Sequence, residues 1–178
     1  MTGAAGFIGM LVALALLRRG DEVVGLDNLN VYYEVGLRQA RLGRRSATTG
    51  FRFERLEVAD AAAPAACSAA AGFDRVVHLA APASVRFAVT HPQAYAQANL
   101  VSFLNVLEDC RHHDIQHLLY ASSSSVCGGN RRVPLSEQDA VDHPVSRYAA
   151  TKQANELMAH RYSRLYDLPI TGLRFFTL

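Results

Sequence analysis

Short apolar runs and helical patterns alternate along the chain. The first predicted helix covers residues 8–19, where apolar side chains recur at helical spacing and Gly20 follows at a position where helices commonly end. Further helices are predicted over residues 61–71, 92–113 and 146–166. Strands are predicted over residues 22–27, 51–58, 75–79, 118–121 and 170–176. After the first of these strands, a loop or helix is predicted to about Arg45. This alternation predicts an α/β fold, a doubly wound parallel sheet with helices on both faces.

Glycines spaced GxxGxxG stand directly before the first predicted helix, at Gly3, Gly6 and Gly9. Glycine allows a tight turn and a close approach of the backbone to a pyrophosphate, and the amino terminus of the helix offers unpaired N–H groups. Asp27 ends the next predicted strand, 18 residues beyond Gly9, where a carboxylate can accept hydrogen bonds from ribose hydroxyls. These features predict a Rossmann-type dinucleotide site that prefers NAD, because Asp27 would repel the 2′-phosphate of NADP.

The first strand of such a fold is largely missing from the predicted elements. Only Met1 and Thr2 precede the glycine turn, where a strand of about five residues belongs. We expect this loss to leave the neighbouring strands unpaired at the centre of the sheet. The whole chain, residues 1–178, is interpreted as one NAD-binding domain truncated at both ends, with the carboxyl-terminal substrate domain absent.

A serine run and a Tyr-Lys pair provide candidate chemistry. Residues 122–125 are four serines that follow a predicted strand, and Tyr148 and Lys152 lie four residues apart, on one face of a predicted helix. An ammonium group and a positively charged nicotinamide would both favour the phenolate form of Tyr148. Tyr148 could then take a proton from a sugar hydroxyl while hydride leaves the same carbon, with a serine hydroxyl holding the reacting oxygen. A serine hydrolase is disfavoured, because the sequence has no GxSxG motif.

Charge and composition exclude several other classes of protein. A net charge of +2 implies no strongly basic face, so we expect no nucleic-acid partner. The longest apolar stretch, residues 7–17, is too short to span a bilayer, and we expect no membrane partner. The three cysteines form no CxxC pair, so no metal site is predicted and a reducing cytoplasm is the expected compartment. A basic cluster is interpreted as a solvated helix face; it comprises Arg38, Arg41, Arg44 and Arg45.

These motifs, in this order, resemble the extended short-chain dehydrogenase/reductase family of NAD-dependent epimerases and dehydratases. The resemblance covers essentially the whole chain and rests on the TGAAGFIG turn, HLAA at 78–81, Asn99, the serine run, YAATK at 148–152 and LRFF at 173–176. Longer stretches are similar to UDP-glucuronate 4-epimerases, most specifically the block at 142–160. The resemblance also implies a homodimer, in which the helices after Pro92 and Ser146 pair between subunits.

The resemblance implies a set of site residues. Ser123, Tyr148 and Lys152 are expected to be catalytic, with Ser124 as the alternate to Ser123. Contacts with NAD are expected from Gly3, Gly6, Phe7, Ile8, Gly9, Asp27, Asn28, Glu57, Val58, Leu79, Ala80, Ala81, Asn99, Tyr148, Lys152 and Phe176. Contacts with a nucleotide-sugar substrate are expected from Arg86, Ser123, Ser124 and Thr177. For Arg86, a solvated loop arginine is an equally good interpretation.

The resemblance further implies epimerisation at C4 of UDP-glucuronate through a 4-keto intermediate. Hydride returns to the opposite face of the sugar, so NAD is not consumed, and the site must prevent the β-keto acid from losing carbon dioxide.

The sequence departs from the family pattern at three places. Cys127 replaces a tyrosine and is expected to alter packing beside the nicotinamide or substrate. Glu57 replaces an aspartate near the adenine, and residues 80–85 read AAPASV.

Three alternatives to a UDP-glucuronate 4-epimerase stay open. The chain could belong to another nucleotide-sugar epimerase, dehydratase or decarboxylase, although dehydratases of the family carry acidic residues where this sequence has Ser124 and Ser125. It could be a nucleotide-sensing protein without catalysis, which the presence of Ser123, Tyr148 and Lys152 disfavours. It could also be an inactive truncated fragment.

Overall fold

A computed structural model describes residues 1–31, 34–46, 48–82, 89–130, 134–139, 141 and 143–176. The strands are β1 (Val23–Asp27), β2 (Phe51–Arg55), β3 (Arg75–His78), β4 (His117–Ser123) and β5 (Ile170–Phe175). The helices are α1 (Phe7–Arg19), α2 (Val35–Ser46), α3 (Ala62–Ala71), α4 (Pro92–Ala96), α5 (Ser102–His112) and α6 (Arg147–Tyr166). Over the described part of the chain, no helix is both long and apolar enough to cross a membrane.

The five strands form an open parallel sheet in two parts, which the start of the chain joins. β1 pairs with β2, and β3, β4 and β5 pair in that order, all in parallel register. Thr2 forms parallel bridges to Leu26 of β1 and to His78 of β3, so the spatial order is β2, β1, Thr2, β3, β4, β5. The predicted α/β fold with a parallel sheet is confirmed.

Met1 and Thr2 lie between β1 and β3 and form hydrogen bonds to both sides. Met1 accepts a hydrogen bond from Leu26 N at 2.8 Å and donates its amino group to Val24 O at 2.6 Å. On the other side, Thr2 N donates to Val77 O at 2.9 Å and Thr2 O accepts from Leu79 N at 3.3 Å. The expectation that both neighbouring strands would be left unpaired is therefore wrong at these positions.

The hydrophobic core lies where α5 and α6 cover β3 and β4. Phe103 and Leu107 of α5 and Leu118 of β4 are fully buried, and the Phe103 ring lies 4.8 Å from the Tyr120 ring, centroid to centroid. Burial of each such side chain contributes about 1.5–3 kcal/mol relative to exposure. This packing holds the carboxyl ends of β3 and β4 beside the amino-terminal half of α6.

The helix predicted over residues 92–113 contains a turn that the pattern did not predict. The π-helical turn Gln97–Val101 separates α4 from α5. Its wider spacing is visible at Ser102, whose hydroxyl and backbone N–H both donate to Gln97 O, five residues earlier. Asn99 lies inside this turn and is buried.

Candidate functional site

The glycine turn is closed so tightly that two of its positions admit only glycine. Gly3 has a φ of +68°, and a Cβ there would lie 2.7 Å from the carbonyl carbon of Leu79. A Cβ on Gly9 would lie 2.1 Å from Gly3 O. Real Cβ atoms do not approach backbone this closely, so the turn, the start of α1 and the segment after β3 fit together only without side chains.

The hydroxyl of Thr2 ties this turn to the segment after β3. Thr2 Oγ1 accepts hydrogen bonds from Leu79 N at 3.2 Å and Ala80 N at 3.1 Å, and lies 2.9 Å from His78 Nδ1. Burial, with a further contribution from the positive charge of Lys152, lowers the pKa of His78 to about 3. The imidazole is therefore neutral near pH 7, and the Thr2 hydroxyl donates to Nδ1, which places the ring proton on Nε2.

Asp27 lies at the carboxyl end of β1, with its carboxylate held by the glycine turn and the loop after β1. Its Oδ2 accepts a hydrogen bond from Ala5 N at 3.1 Å, and its Oδ1 accepts one from Leu29 N at 2.9 Å. Arg38 Nη1 lies 3.4 Å from the same Oδ1. Asp27 is thus fixed at the end of its strand, with a guanidinium beside it.

The interpretation of the basic cluster as a solvated face is wrong for Arg38. Its side chain is only 8% exposed. The helix α2 packs against α1 and β2, and the Arg38 guanidinium lies against Asp27 and the Asn30 carbonyl. Arg41, one turn later, lies over the Phe7 ring at 5.9 Å. Arg44 is exposed as expected, and the side chain of Arg45 lies outside the described residues.

A cleft of about 880 Å³ runs along the carboxyl ends of the strands. Its walls contain these residues singled out by the sequence: Gly3, Gly6, Phe7, Ile8, Gly9, Asp27, Asn28, Glu57, Val58, Leu79, Ala80, Ala81, Ser123, Ser124, Tyr148, Lys152 and Phe176. Asn99 lies behind the wall, 2% exposed, where its Nδ2 donates to Pro82 O at 3.4 Å. Arg86 and Thr177 lie outside the described residues.

Ser123 ends β4 at the cleft and is held by the 3₁₀ turn that follows. Its Oγ accepts two hydrogen bonds from Ser125, one from the backbone N–H at 3.2 Å and one from the hydroxyl at 2.8 Å. With both acceptor positions occupied, the Ser123 hydroxyl has its own hydrogen left to donate. Ser125 also lines the cleft, although the sequence pattern gave no reason to choose it over its neighbours.

Tyr148 and Lys152 occupy the first two turns of α6, facing the end of β4. The helix begins where Ser146 Oγ accepts a hydrogen bond from Ala149 N at 3.0 Å, a standard amino-terminal cap. Lys152 is 2% exposed, its Nζ donates to Ala121 O at 2.8 Å, and it lies 6.0 Å from the centroid of the Tyr148 ring. The Tyr95 ring meets Tyr148 edge to face at 6.5 Å.

Comparison with known proteins places this geometry in a family. The family model for NAD-dependent epimerases and dehydratases matches residues 1–178. The chain belongs to the NAD-dependent epimerase/dehydratase family. Among its relatives, an uncharacterised 37.6 kDa protein of Escherichia coli O111:H- is 57% identical over the whole chain, which covers 53% of that protein.

Two of the relatives whose activity is named are UDP-glucuronate 4-epimerases. UDP-glucuronate 4-epimerase 3 of Arabidopsis thaliana is 47% identical over 100% of this chain and 41% of its own length. The solved structure of the UDP-glucuronic acid 4-epimerase of Bacillus cereus, in complex with UDP-glucuronic acid and NAD, superposes with a TM-score of 0.90 at 31% identity, covering 99% of this chain and 55% of that one. The chain therefore spans about half the length of these relatives.

The residues of the cleft fit the family's cofactor, NAD. Gly6 and the first residues of α1 line the cleft, and among the described residues no side chain caps this helix end and no acidic residue lies in its first turn. Such a helix end suits a pyrophosphate. Asp27 also lines the cleft, and a carboxylate at the end of this strand is a group that can accept hydrogen bonds from ribose hydroxyls; Tyr148 and Lys152 line the same cleft.

Cys127 lies beside the cleft and not on its wall. It is buried and lines a second cavity of about 650 Å³, together with Tyr120 and Arg174, and is not part of the cleft wall. The 3₁₀ turn Ser124–Cys127 directs Ser124 and Ser125 to the cleft but Cys127 to this second cavity. Phe175 and Phe176 line both this cavity and the cleft, and the expected effect of Cys127 on packing beside the nicotinamide or substrate stays a prediction.

The burial of Lys152 predicts a pH-dependent cost to stability. Burial lowers the pKa of Lys152 from its usual 10.5 to about 8. Below pH 8 the ammonium is charged in both states, so its burial destabilises the fold by about 3 kcal/mol. Between pH 8 and 10.5 the unfolded chain binds more protons than the folded one, so stability rises with pH as this cost disappears.

Lys152→Met is therefore expected to raise the free energy of unfolding at pH 7 by about 1–2 kcal/mol, after a loss of about 1 kcal/mol for the hydrogen bond to Ala121 O. Urea unfolding at pH 7 and pH 9.5 checks this, and the advantage should shrink at the higher pH. Arg161→Met, an exposed position of the same helix, is the control. An advantage that is equal at both pH values would contradict the assignment of the cost to the buried charge.

Proposed function

We propose that the chain is the NAD-binding part of an enzyme that interconverts UDP-glucuronate and UDP-galacturonate at C4 of the sugar. One observation carries the proposal: Ser123, Tyr148 and Lys152 line the same cleft as the glycine turn and Asp27. The identity of 47% with a named UDP-glucuronate 4-epimerase supports the choice of substrate. Because the chain spans about half of that relative, the activity is proposed for the whole polypeptide.

Proton transfer in this proposal belongs to Tyr148. The phenolic oxygen takes the proton of the C4 hydroxyl as that carbon is oxidised to a ketone, and later returns it. Lys152, held by Ala121 O, places its Nζ 6.0 Å from the centroid of the Tyr148 ring. NAD, when bound, accepts the hydride from C4 and gives it back.

Ser123 is proposed to hold the reacting oxygen. Its hydroxyl, which accepts from Ser125 twice, can donate its hydrogen to the C4 oxygen in both the alcohol and the ketone states. Ser124, on the same wall, is a proposed substrate contact. Arg86 and Thr177 remain proposed substrate contacts from the sequence alone.

Three further assignments belong to the proposal. Asn99 is proposed to shape the nicotinamide end of the cleft from behind, through its hydrogen bond to Pro82 O. A homodimer is proposed from the family resemblance. A reducing compartment, the cytoplasm, is proposed because Cys67, Cys110 and Cys127 are all free thiols.

Product analysis tests the proposed reaction. UDP-glucuronate and NAD are incubated with this chain and, in parallel, with a version extended at both ends along its reading frame. The extended form is expected to produce UDP-galacturonate without net reduction of NAD, and to run the reaction in reverse from UDP-galacturonate. A folded, NAD-loaded extended form that leaves UDP-glucuronate unchanged would show that the substrate is wrong, and other nucleotide sugars would then be assayed for epimerase, dehydratase and decarboxylase products.

A further inference from the structure

Two polar contacts, one helical turn apart, tie α6 to the end of β4. Lys152 Nζ donates to Ala121 O at 2.8 Å, and Ser122 Oγ donates to Glu156 Oε1 at 2.6 Å. Ala121 and Ser122 are the two residues directly before Ser123. The segment of α6 that contains the lysine is therefore fixed to the strand end that contains the serine.

Glu156 also binds β5. Arg174 donates Nε to Glu156 Oε1 at 2.9 Å and Nη2 to Oε2 at 2.8 Å, a bidentate pair. Arg174 is the register partner of Ser122 across β4 and β5. Burial by itself would raise the pKa of Glu156, but the hydrogen bonds from Arg174 and Ser122, with the Arg174 charge, hold that pKa below its usual value. The carboxylate therefore stays charged and joins three elements.

We propose that Glu156 is a positioning residue, which through Ser122 and Arg174 sets the distance between α6 and the end of β4 and so places Lys152 against Ala121 O and beside Tyr148. The proposal rests on the proposed function, in which Lys152 and Tyr148 serve the reaction. Glu156 is not on the wall of the cleft and lines the second cavity instead. Its influence on the reaction is through Lys152.

The groups around Lys152 allow this influence to be measured directly. Tyr148 faces it from its own helix, the neutral His78 faces it from β3, and the Ala121 carbonyl faces it from β4. If the tie between Ser122 and Glu156 is lost, α6 is free to move from β4 and water reaches Nζ, so the ammonium becomes easier to form. The titration midpoint of Lys152 then rises towards that of an exposed lysine.

Lys152 is the only lysine in the sequence, so labelling with ¹³Cε-lysine gives one side-chain resonance to titrate. Ser122→Ala removes the hydrogen bond without changing any charge, and is expected to raise the midpoint by about half a pH unit or more. Tyr162→Phe is the matched control, because it removes the hydrogen bond from Tyr162 to Glu108, which ties α6 to α5 farther along. We expect Tyr162→Phe to lower the unfolding temperature about as much as Ser122→Ala does, while the titration midpoint of Lys152 stays unchanged.

Glu156→Gln distinguishes a loosening of α6 from the loss of a negative charge near Lys152. Loss of a carboxylate would by itself lower the midpoint of Lys152, whereas loosening of α6 raises it, so a rise in this variant supports the positioning role. Midpoints in Ser122→Ala and Glu156→Gln that match the Tyr162→Phe control would overturn the proposal. The titration of Lys152 needs no catalytic turnover, so its result can be interpreted even if the proposed reaction is wrong. Equally, a titration that contradicts the role of Glu156 does not affect the product analysis.

Discussion

Tyr148→Phe is expected to lower the turnover of UDP-glucuronate by about 10²- to 10⁴-fold, since it removes the group that takes the proton from C4. The fold should be unaffected. The phenyl ring keeps its edge-to-face contact with Tyr95, and the cap of α6 by Ser146 does not involve the phenol. The measurement is the initial rate of product formation in the extended polypeptide, with the affinity for NAD measured alongside.

The control variant removes a tyrosine hydroxyl from a different position of α6. Tyr166→Phe deletes a hydroxyl from the last turn of α6, where the side chain is 39% exposed and stacks with Arg111 at 4.5 Å, far along the chain from the cleft. This variant should keep the native rate. If Tyr148→Phe retains more than about a tenth of the native rate while NAD still binds, another group transfers the proton and the role given to Tyr148 is wrong.

The parts of the fold that follow from local signals could be predicted. α1 ends before Gly20, which has a φ of +97° and donates its N–H to the last turn of the helix, and the sequence shows both the apolar period and the glycine. Similarly, Ser146 caps α6 one residue before the helix begins. At such positions the preference of the residue and the tertiary structure agree, so the sequence alone was sufficient.

Features decided by contacts between distant residues could not be predicted. The π-helical turn Gln97–Val101 inserts one residue into a helix whose apolar spacing looks regular over its length. Arg38 belongs to a basic cluster in sequence, and only the tertiary fold, in which α2 packs against α1 and β2, selects it out of its neighbours to bind Asp27. A charge pattern records which residues are basic but not which turn of the helix meets the sheet.

The candidate site shows the same division. The spacing of its glycines and of Tyr148 and Lys152 could be read directly, because a turn and a helix each keep their residues together. The groups that hold those residues were missed. Thr2 reaches Leu79 and Ala80, more than 75 residues away in sequence, and Glu156 reaches Ser122 and Arg174 on two different strands. Nothing local marks such residues as important.

Gly9→Ala is expected to cost about 1–3 kcal/mol or more of folding stability and to abolish measurable NAD binding. An added Cβ would lie 2.1 Å from Gly3 O, 2.9 Å from Gly3 C and 3.1 Å from Ala4 Cα, all of which are backbone atoms. Since no side chain can rotate away, either the turn must open or α1 must move, and overpacking of this kind costs about 1–3 kcal/mol or more. Both movements displace the N–H groups that would meet the pyrophosphate.

Thermal unfolding with and without NAD measures both effects. The native chain should unfold at a higher temperature when NAD is present, because a ligand that binds only the folded state stabilises it. Gly9→Ala should lose most of that increase, and should unfold earlier without NAD.

Gly43→Ala is the matched control, since it adds the same methyl group inside α2 at a place where no described atom lies within 4 Å of the new Cβ. It should stabilise the fold by about 0.5–1 kcal/mol through helix propensity and keep the response to NAD. A Gly9→Ala chain that still responds fully to NAD would mean that the glycine turn is not what receives the pyrophosphate, and that the cofactor assignment of the whole turn must be reconsidered.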